Sequence, residues 1–151
     1  MQTDYQIMKE QVAGFAKADP YFIPLMANAA AVLFQTMEQI NWAGFYIVRE
    51  GRLVLGPFQG KPACIHIAKG KGVCGTAYAE DRTVRVADVH AFPGHIACDA
   101  ASRSEIVIPL HAEGKVVAVL DIDSPVSDRF SEKDEAGLCA IAEILETALV
   151  F

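Results

Sequence analysis

From Glu105 to Ser124 the chain reads EIVIPLHAEGKVVAVLDIDS, two apolar, β-branched runs flanking Glu113-Gly114. This layout predicts an antiparallel hairpin closed by a tight turn, and no other stretch constrains the fold as strongly. Residues facing each other across such a hairpin have numbers summing to about 227, which sets Glu105 opposite Ile122, next to both Asp121 and Asp123. Asp121 and Asp123 are two apart on a strand and so share a face. Three carboxyl groups are therefore expected at one end of the hairpin. Pro109, which has no N–H to donate, marks an edge position or a bulge in the first run.

The remaining elements follow from the same periodicities. A first helix is expected from a Thr3 cap to about Ala18, where Asp19-Pro20 stops it. A second, Ala-rich and apolar on most faces, runs from about Leu25 to Met37. AGFYIV and RLVLGPF read as strands joined by a tight turn at Glu50-Gly51, and CIHIA reads as a third strand. GKGVCGTAYAE is a glycine-rich entry into a short helix, and TVRVADV is a further short strand. A long irregular loop follows from about His90 to Ser104. Ser131-Glu132-Lys133-Asp134 opens the last helix as a capping box with Asp in place of Glu. Helices at both ends of roughly six short strands, joined mostly by hairpins, give an α+β domain over residues 1–151, with helices packed on a mainly antiparallel sheet.

Composition narrows the setting. A chain of 151 residues suits one domain and buries roughly 70% of its unfolded surface. With 52% hydrophobic and 21% charged residues it is globular, not disordered. No apolar run reaches the ~18 residues of a membrane span. The opening MQTDYQIMKE lacks the basic-then-apolar order of a signal peptide, so the cytoplasm is the expected location. A net charge of −6 with scattered Lys and Arg argues against nucleic acid or an anionic membrane as partner.

The four cysteines, at 64, 74, 98 and 139, include no C-x-x-C pair, and none forms a close ligand pair with His66, His90, His95 or His111. Neither a structural zinc site nor any cofactor is therefore expected. Cys74 lies in GVCG at a helix start, where backbone N–H groups and the helix dipole favour a thiolate. Cys64 opens a strand, and Cys98 sits in the long loop among small residues that permit close approach to a ligand. Each of these alone also reads as a small buried residue, and Cys139, on the apolar stripe of the last helix, reads only so. Brought together, one sulfur of the first three could be oxidised and another could resolve it as a disulfide.

Crowding of Glu105, Asp121 and Asp123 would raise the pKa of at least one, leaving a carboxylic acid able to donate a proton near neutral pH. Trp42 and Tyr46, four apart on one strand, share a face; core packing is the plain reading and fits Phe45 best, but Trp42 beside Asn41 at a strand start could instead wall a small pocket. A thiolate, a proton donor, resolving thiols and an aromatic wall meet the needs of sulfoxide reduction. The thiolate attacks the electrophilic sulfur, and the oxygen must be protonated to leave. These residues permit that scheme without singling it out.

NWAGFY, LVLGPFQGKPAC, GKGVCGTA, DVHAFPGHIACDAASRSEIVIPL and VLDIDS together resemble the free methionine-(R)-sulfoxide reductases, small enzymes of the GAF-domain fold. The resemblance extends from about Asn41 to Asp134 and more weakly over both terminal helices. It implies a single GAF domain with a six-stranded antiparallel sheet, a ligand enclosed under the loop, free methionine sulfoxide as substrate, thioredoxin as reductant and commonly a homodimer. It implies Cys98 of HIACD as the catalytic cysteine, and Cys64 and Cys74 as recycling thiols, Cys64 the favoured disulfide partner. Glu105, Asp121 and Asp123 would be the pocket carboxylates, and Trp42 its wall with Tyr46 beside it. Within that reading Asp123 and Glu105 address the sulfoxide oxygen, while Asp121 supports the network or binds the substrate ammonium. Arg103 stands where the family pattern has Asn.

Three other readings compete. A ligand-sensing GAF module would use the same pocket without chemistry, but has no need of Cys98 with two neighbouring thiols. A cysteine hydrolase would need His90 or His95 as base and an oxyanion hole, for which no motif is present. A thiol redox protein without a small substrate is the third.

Overall fold

The structure, a computed structural model, describes residues 3–95 and 100–151. Helices α1 (Tyr5–Ala18) and α2 (Phe22–Thr36) precede strands β1 (Trp42–Arg49), β2 (Arg52–Gly60) and β3 (His66–Ala68). Helix α3 (Gly72–Glu80), strand β4 (Val84–Val86) and a 3-10 turn (Val89–Ala91) follow. Strands β5 (Ser104–Ala112) and β6 (Lys115–Ser124) lead to helix α4 (Glu132–Ala148). The strands form a single six-stranded sheet in the order β3-β2-β1-β6-β5-β4, and every strand pair is antiparallel. The expected α+β architecture is the one observed.

Both hairpin turns use a left-handed pair, Glu50 and Gly51 (φ 54° and 77°) and Glu113 and Gly114 (φ 52° and 76°). This conformation matches the twist of the flanking strands, and glycine adopts it at the second position without steric cost. The β5–β6 register departs from the sequence-based value. Ala112 pairs with Lys115 and His111 with Val116, but a shift between Leu110 and His111 adds one residue, so that Leu110 meets Ala118 and Glu105 meets Asp123 directly, not Ile122. Pro109 fits both of its expected settings. It lies just before that shift, on a stretch of β5 that β4 leaves uncovered, because β4 pairs only with Glu105 to Val107.

Alternation along the strands divides the sheet into two faces. Ala43, Phe45, Ile47, Ile106, Ile108, Leu110, Ala118, Leu120 and Ile122 point to one side and pack under α1, α2 and α4 in the main core. Trp42, Tyr46, Val107 and Val119 point to the other side, where α3 closes a second, smaller cluster with Val73, Cys74 and Ala77.

The helix ends refine the sequence reading. Asp4, not Thr3, caps α1 by accepting from the Ile7 N–H at 3.1 Å. Helix α2 starts at Phe22, ahead of the expected Leu25, because Pro24 falls in its first turn, where a missing N–H leaves no gap in the helical ladder. The capping box of α4 is present as expected: the Ser131 hydroxyl accepts from the Asp134 N–H at 3.1 Å, and the Asp134 carboxylate accepts from the Ser131 N–H at 2.9 Å. Asp134 also receives the Tyr5 hydroxyl at 2.7 Å and the Arg129 guanidinium at 3.0 Å. Burial alone would raise this carboxyl, but the Ser131 N–H and the Tyr5 hydroxyl outweigh it, with Ser131 Oγ and Arg129 assisting, and hold it below its ordinary range. No helix is long and apolar enough to cross a membrane among the described residues.

Candidate functional site

The smaller face of the sheet carries a cavity walled by Trp42 and Tyr46 from β1, roofed by the Gly72–Cys74 turn of α3 and floored by Glu105, Asp121 and Asp123 from β5 and β6. Each group is there for a local reason. Trp42 and Tyr46 stack with ring centroids 5.9 Å apart, and Phe58 of β2 stacks on Trp42 at 5.1 Å. Gly44 permits this stacking, because a Cβ there would overlap Phe58 and come within 2.9 Å of the Trp42 ring. The Trp42 indole donates to the Lys61 carbonyl (3.1 Å) and the Tyr46 hydroxyl to the Cys64 carbonyl (2.9 Å), so both rings are fixed to the β2–β3 connection. Helix α3 approaches closely because position 75 is glycine; a Cβ there would stand 2.6 Å from the Ala68 carbonyl.

The register that pairs Glu105 with Asp123 and Val107 with Asp121 sets all three acids on this face. Glu105 and Asp121 are deeply buried (8% and 4% exposed), whereas Asp123 is half-buried. Cys74, 4% exposed, donates its thiol to Glu105 Oε2 at 3.8 Å. Burial raises Glu105 well above the carboxylate range, and Asp121 beside it adds to the shift. Asp121 rises from its ordinary 3.8 to about 8, through burial and then repulsion from Asp123. A buried proton-bearing carboxyl near neutral pH is therefore part of the site. Burial and the same acids raise Tyr46 above its normal range.

Cys74 behaves opposite to its helix-start expectation. Burial first, then Asp121, Glu105 and Asp123, push its thiol well above the ordinary value, so this sulfur is held protonated. Two turns of N–H dipole do not outweigh three nearby carboxyls in a dry pocket. Cys64 does not open a strand; it lies in the segment before β3 and is disulfide-bonded. Cys74 and Cys139 are free thiols. Cys139 packs half-buried against the main core, with its sulfur 3.7 Å from the Thr83 hydroxyl. Cys98 lies outside the described residues. The loop that leads to it begins with the Val89–Ala91 turn, is tied to α3 by the Gly72 N–H donating to the Gly94 carbonyl (3.1 Å), and brings His95 to the cavity wall. Burial and the neighbouring His90 lower the His95 pKa.

The structure thus gathers Trp42, Tyr46, Cys74, Glu105, Asp121 and Asp123 around one cavity, with Cys64 adjoining it through the Tyr46 hydrogen bond. Several lining residues escaped the sequence reading. Lys61 and Lys71 border the cavity, and Ser102, buried, accepts from the Asn41 amide at 3.2 Å. The two lysines belong to the GKPAC and GKGVCG phrases, and only their lack of an acidic neighbour in sequence could have marked them. Arg103 uses its backbone, bonding Ser124 at 2.7 Å and Val89 at 2.8 Å to fasten the far end of the loop.

Comparison with known proteins agrees with this geometry. Residues 17–149 match the GAF domain family. Protein YtsP of Bacillus subtilis is 55% identical over 98% of this chain and 92% of its own length. The free methionine-R-sulfoxide reductase of Escherichia coli is 53% identical over 85% of this chain and 78% of its own. The structure of the Staphylococcus aureus fRMsr in complex with substrate superposes with a TM-score of 0.94 at 49% identity, covering 99% of this chain and 98% of that one. By fold, by site and by these likenesses, the chain belongs to the free methionine-R-sulfoxide reductases of the GAF-domain family.

Proposed function

We propose that the chain reduces free L-methionine-(R)-sulfoxide to methionine, with Cys98 as nucleophile and thioredoxin as the terminal reductant. The observation that carries the reading is the buried carboxyl cluster beneath an aromatic wall, in which Asp121 keeps a proton to about pH 8. The Cys98 thiolate bonds to the sulfoxide sulfur as a carboxyl group protonates the oxygen; the hydroxyl then passes to the Cys98 sulfur as the S–O bond and the transient S–S bond break, so that methionine leaves and Cys98 becomes a sulfenic acid. The Cys64 thiol then displaces water from that sulfenic acid to form a disulfide, and the dithiol of thioredoxin reduces it by exchange. The engagement of Cys64 in a disulfide while Cys74 and Cys139 stay free supports Cys64 over Cys74 as the resolving thiol.

Burial supports a division of labour among the acids. Glu105 and Asp121, dry and raised, hold protons for the departing oxygen, while half-buried Asp123 is the better partner for a substrate ammonium. Trp42, stacked with Tyr46 and Phe58 and lining the cavity, would supply an apolar wall for the S-methyl group. Enclosure of a single amino acid under the loop would exclude a peptide chain. A cytoplasmic homodimer acting against oxidative stress is the setting we infer, and one catalytic domain is the unit.

Turnover of free methionine-(R)-sulfoxide with a thioredoxin-coupled assay, wild type against Cys98→Ser, tests the reading. Turnover abolished in the variant is expected. A wild type that binds the sulfoxide tightly without consuming it would instead mark a sensing module.

A further inference from the structure

The sulfur of Cys74 and one oxygen each of Glu105 and Asp121 all lie within 4.8 Å of one another, and all three residues are buried. Ligand atoms around a tetrahedral Zn2+ stand about 3.5 Å apart, given bonds of about 2.3 Å to sulfur and 2.0–2.2 Å to oxygen. The 3.8 Å between Cys74 Sγ and Glu105 Oε2 is close to that edge. Asp121 Oδ1 is buried and has no hydrogen-bond partner among the described residues, although its residue lines the cavity. No ion pair among the described residues reaches Glu105 or Asp121 either. A buried acidic pair with one unpartnered oxygen, a thiol hydrogen-bonded to Glu105 and open cavity in front is a set of donors that can exchange its protons for a cation.

We infer that Cys74, Glu105 and Asp121 bind a thiophilic divalent cation, Zn2+ foremost, in the cavity that the sulfoxide would occupy. A thiolate with two carboxylates suits a borderline-soft ion of low coordination number; Mg2+ and Ca2+ prefer six or more oxygen ligands. The three ligands bind deprotonated, their protons passing to water, and the cavity leaves the fourth position to solvent or to Asp123. No cysteine pair or His spacing announces such a site in the sequence. The donors come from α3, β5 and β6, which only the register brings together. The ion would act as a reversible blocker of the cavity. That consequence rests on the reading of the cavity as the sulfoxide site; the binding itself does not.

The test is equilibrium dialysis and absorption spectroscopy with Co2+ alone and then Zn2+, on the protein with its disulfide intact, in which Cys74 and Cys139 are the free thiols. We expect one ion per chain and a thiolate-to-cobalt charge-transfer band. Cys74→Ser should abolish the band, Asp121→Asn should weaken binding about tenfold or more, and Cys139→Ser should change neither. Free methionine-(R)-sulfoxide should displace the ion. Absence of a stoichiometric ion, a band that survives Cys74→Ser, or affinity unchanged in Asp121→Asn would overturn the site. If Cys74→Ser does not fold, the Asp121→Asn comparison decides. Sulfoxide binding by calorimetry without any metal binding would defeat this inference and leave the reductase reading intact. Metal binding that excess sulfoxide cannot displace would leave the site standing and overturn its role as a reversible blocker of the cavity.

Discussion

The two faces of the sheet are built from alternate residues of the same strands, and they obey opposite rules. Ile106, Ile108, Leu110, Leu120 and Ile122 face α1, α2 and α4, and every one is fully or nearly fully buried among apolar neighbours. One residue out of phase, Glu105, Asp121 and Asp123 face the cavity beside Val107 and Val119. The first face has only packing to satisfy. The second keeps acids in a dry place at a cost in stability, the pattern of groups held for use rather than for packing, as the proposed reaction requires. Strands β5 and β6 thus carry the core on one side and the proposed chemistry on the other, and substitutions on the two sides should separate cleanly.

The largest separation is expected at Glu105. Glu105→Gln removes a proton-bearing acid without changing its size and should lower sulfoxide turnover by roughly 10²–10⁴-fold while leaving the melting temperature nearly unchanged. A comparable loss of stability would mean that Glu105 serves the fold. On the opposite face, Leu120→Ala leaves a cavity under the helices and should cost about 2–5 kcal/mol in chemical denaturation, with turnover per folded molecule retained. Lost turnover in a folded variant would break the division.

The pH dependence of stability sharpens the contrast. Asp121 is raised in the folded state from 3.8 to about 8, so its contribution is fully present below pH 4 and is lost as pH rises toward 8. Asp121→Asn should therefore flatten the fall in stability over that window and be relatively more stable at its alkaline end. A wild-type profile flat between pH 4 and 8 would contradict the buried acid. The smallest effect is expected at His111, at the far end of β5. The Asp81 carboxylate at 2.5 Å raises its pKa, burial opposes it, and Glu146 at 3.0 Å adds to the rise. That stabilisation is present below the unfolded value of ~6.5 and disappears as pH rises through the raised one. Both acids are substantially exposed, so His111→Asn should cost only a few tenths of a kcal/mol at pH 6 and nothing at pH 9.

How much of this was legible in the sequence follows from which interactions are local. The hairpins were readable because Glu50-Gly51 and Glu113-Gly114 specify their own turns, and the α4 cap because Ser131 and Asp134 satisfy each other three residues apart. The carboxyl cluster was readable because a hairpin register joins residues close in sequence. Even so, a single-residue shift at Leu110 moved Glu105 from Ile122 to Asp123, since a bulge is decided by packing on both faces. The state of Cys74 was not legible: its helix-start position argues for a thiolate, and only the fold sets three acids against it. Likewise, Gly44 and Phe58 gain their meaning from a cross-strand stack that no local pattern encodes.

The most direct test of the account is a single-turnover experiment without reductant. Fully reduced protein is mixed with excess free methionine-(R)-sulfoxide, and methionine formed and thiols lost are counted together. The account predicts one methionine per chain, two thiols lost and a disulfide retaining Cys74 as a free thiol in wild type; Cys64→Ser should still form one methionine and stop at a sulfenic acid. Methionine formation undiminished in Cys98→Ser, or a disulfide that consumes Cys74 in the wild type, would contradict it.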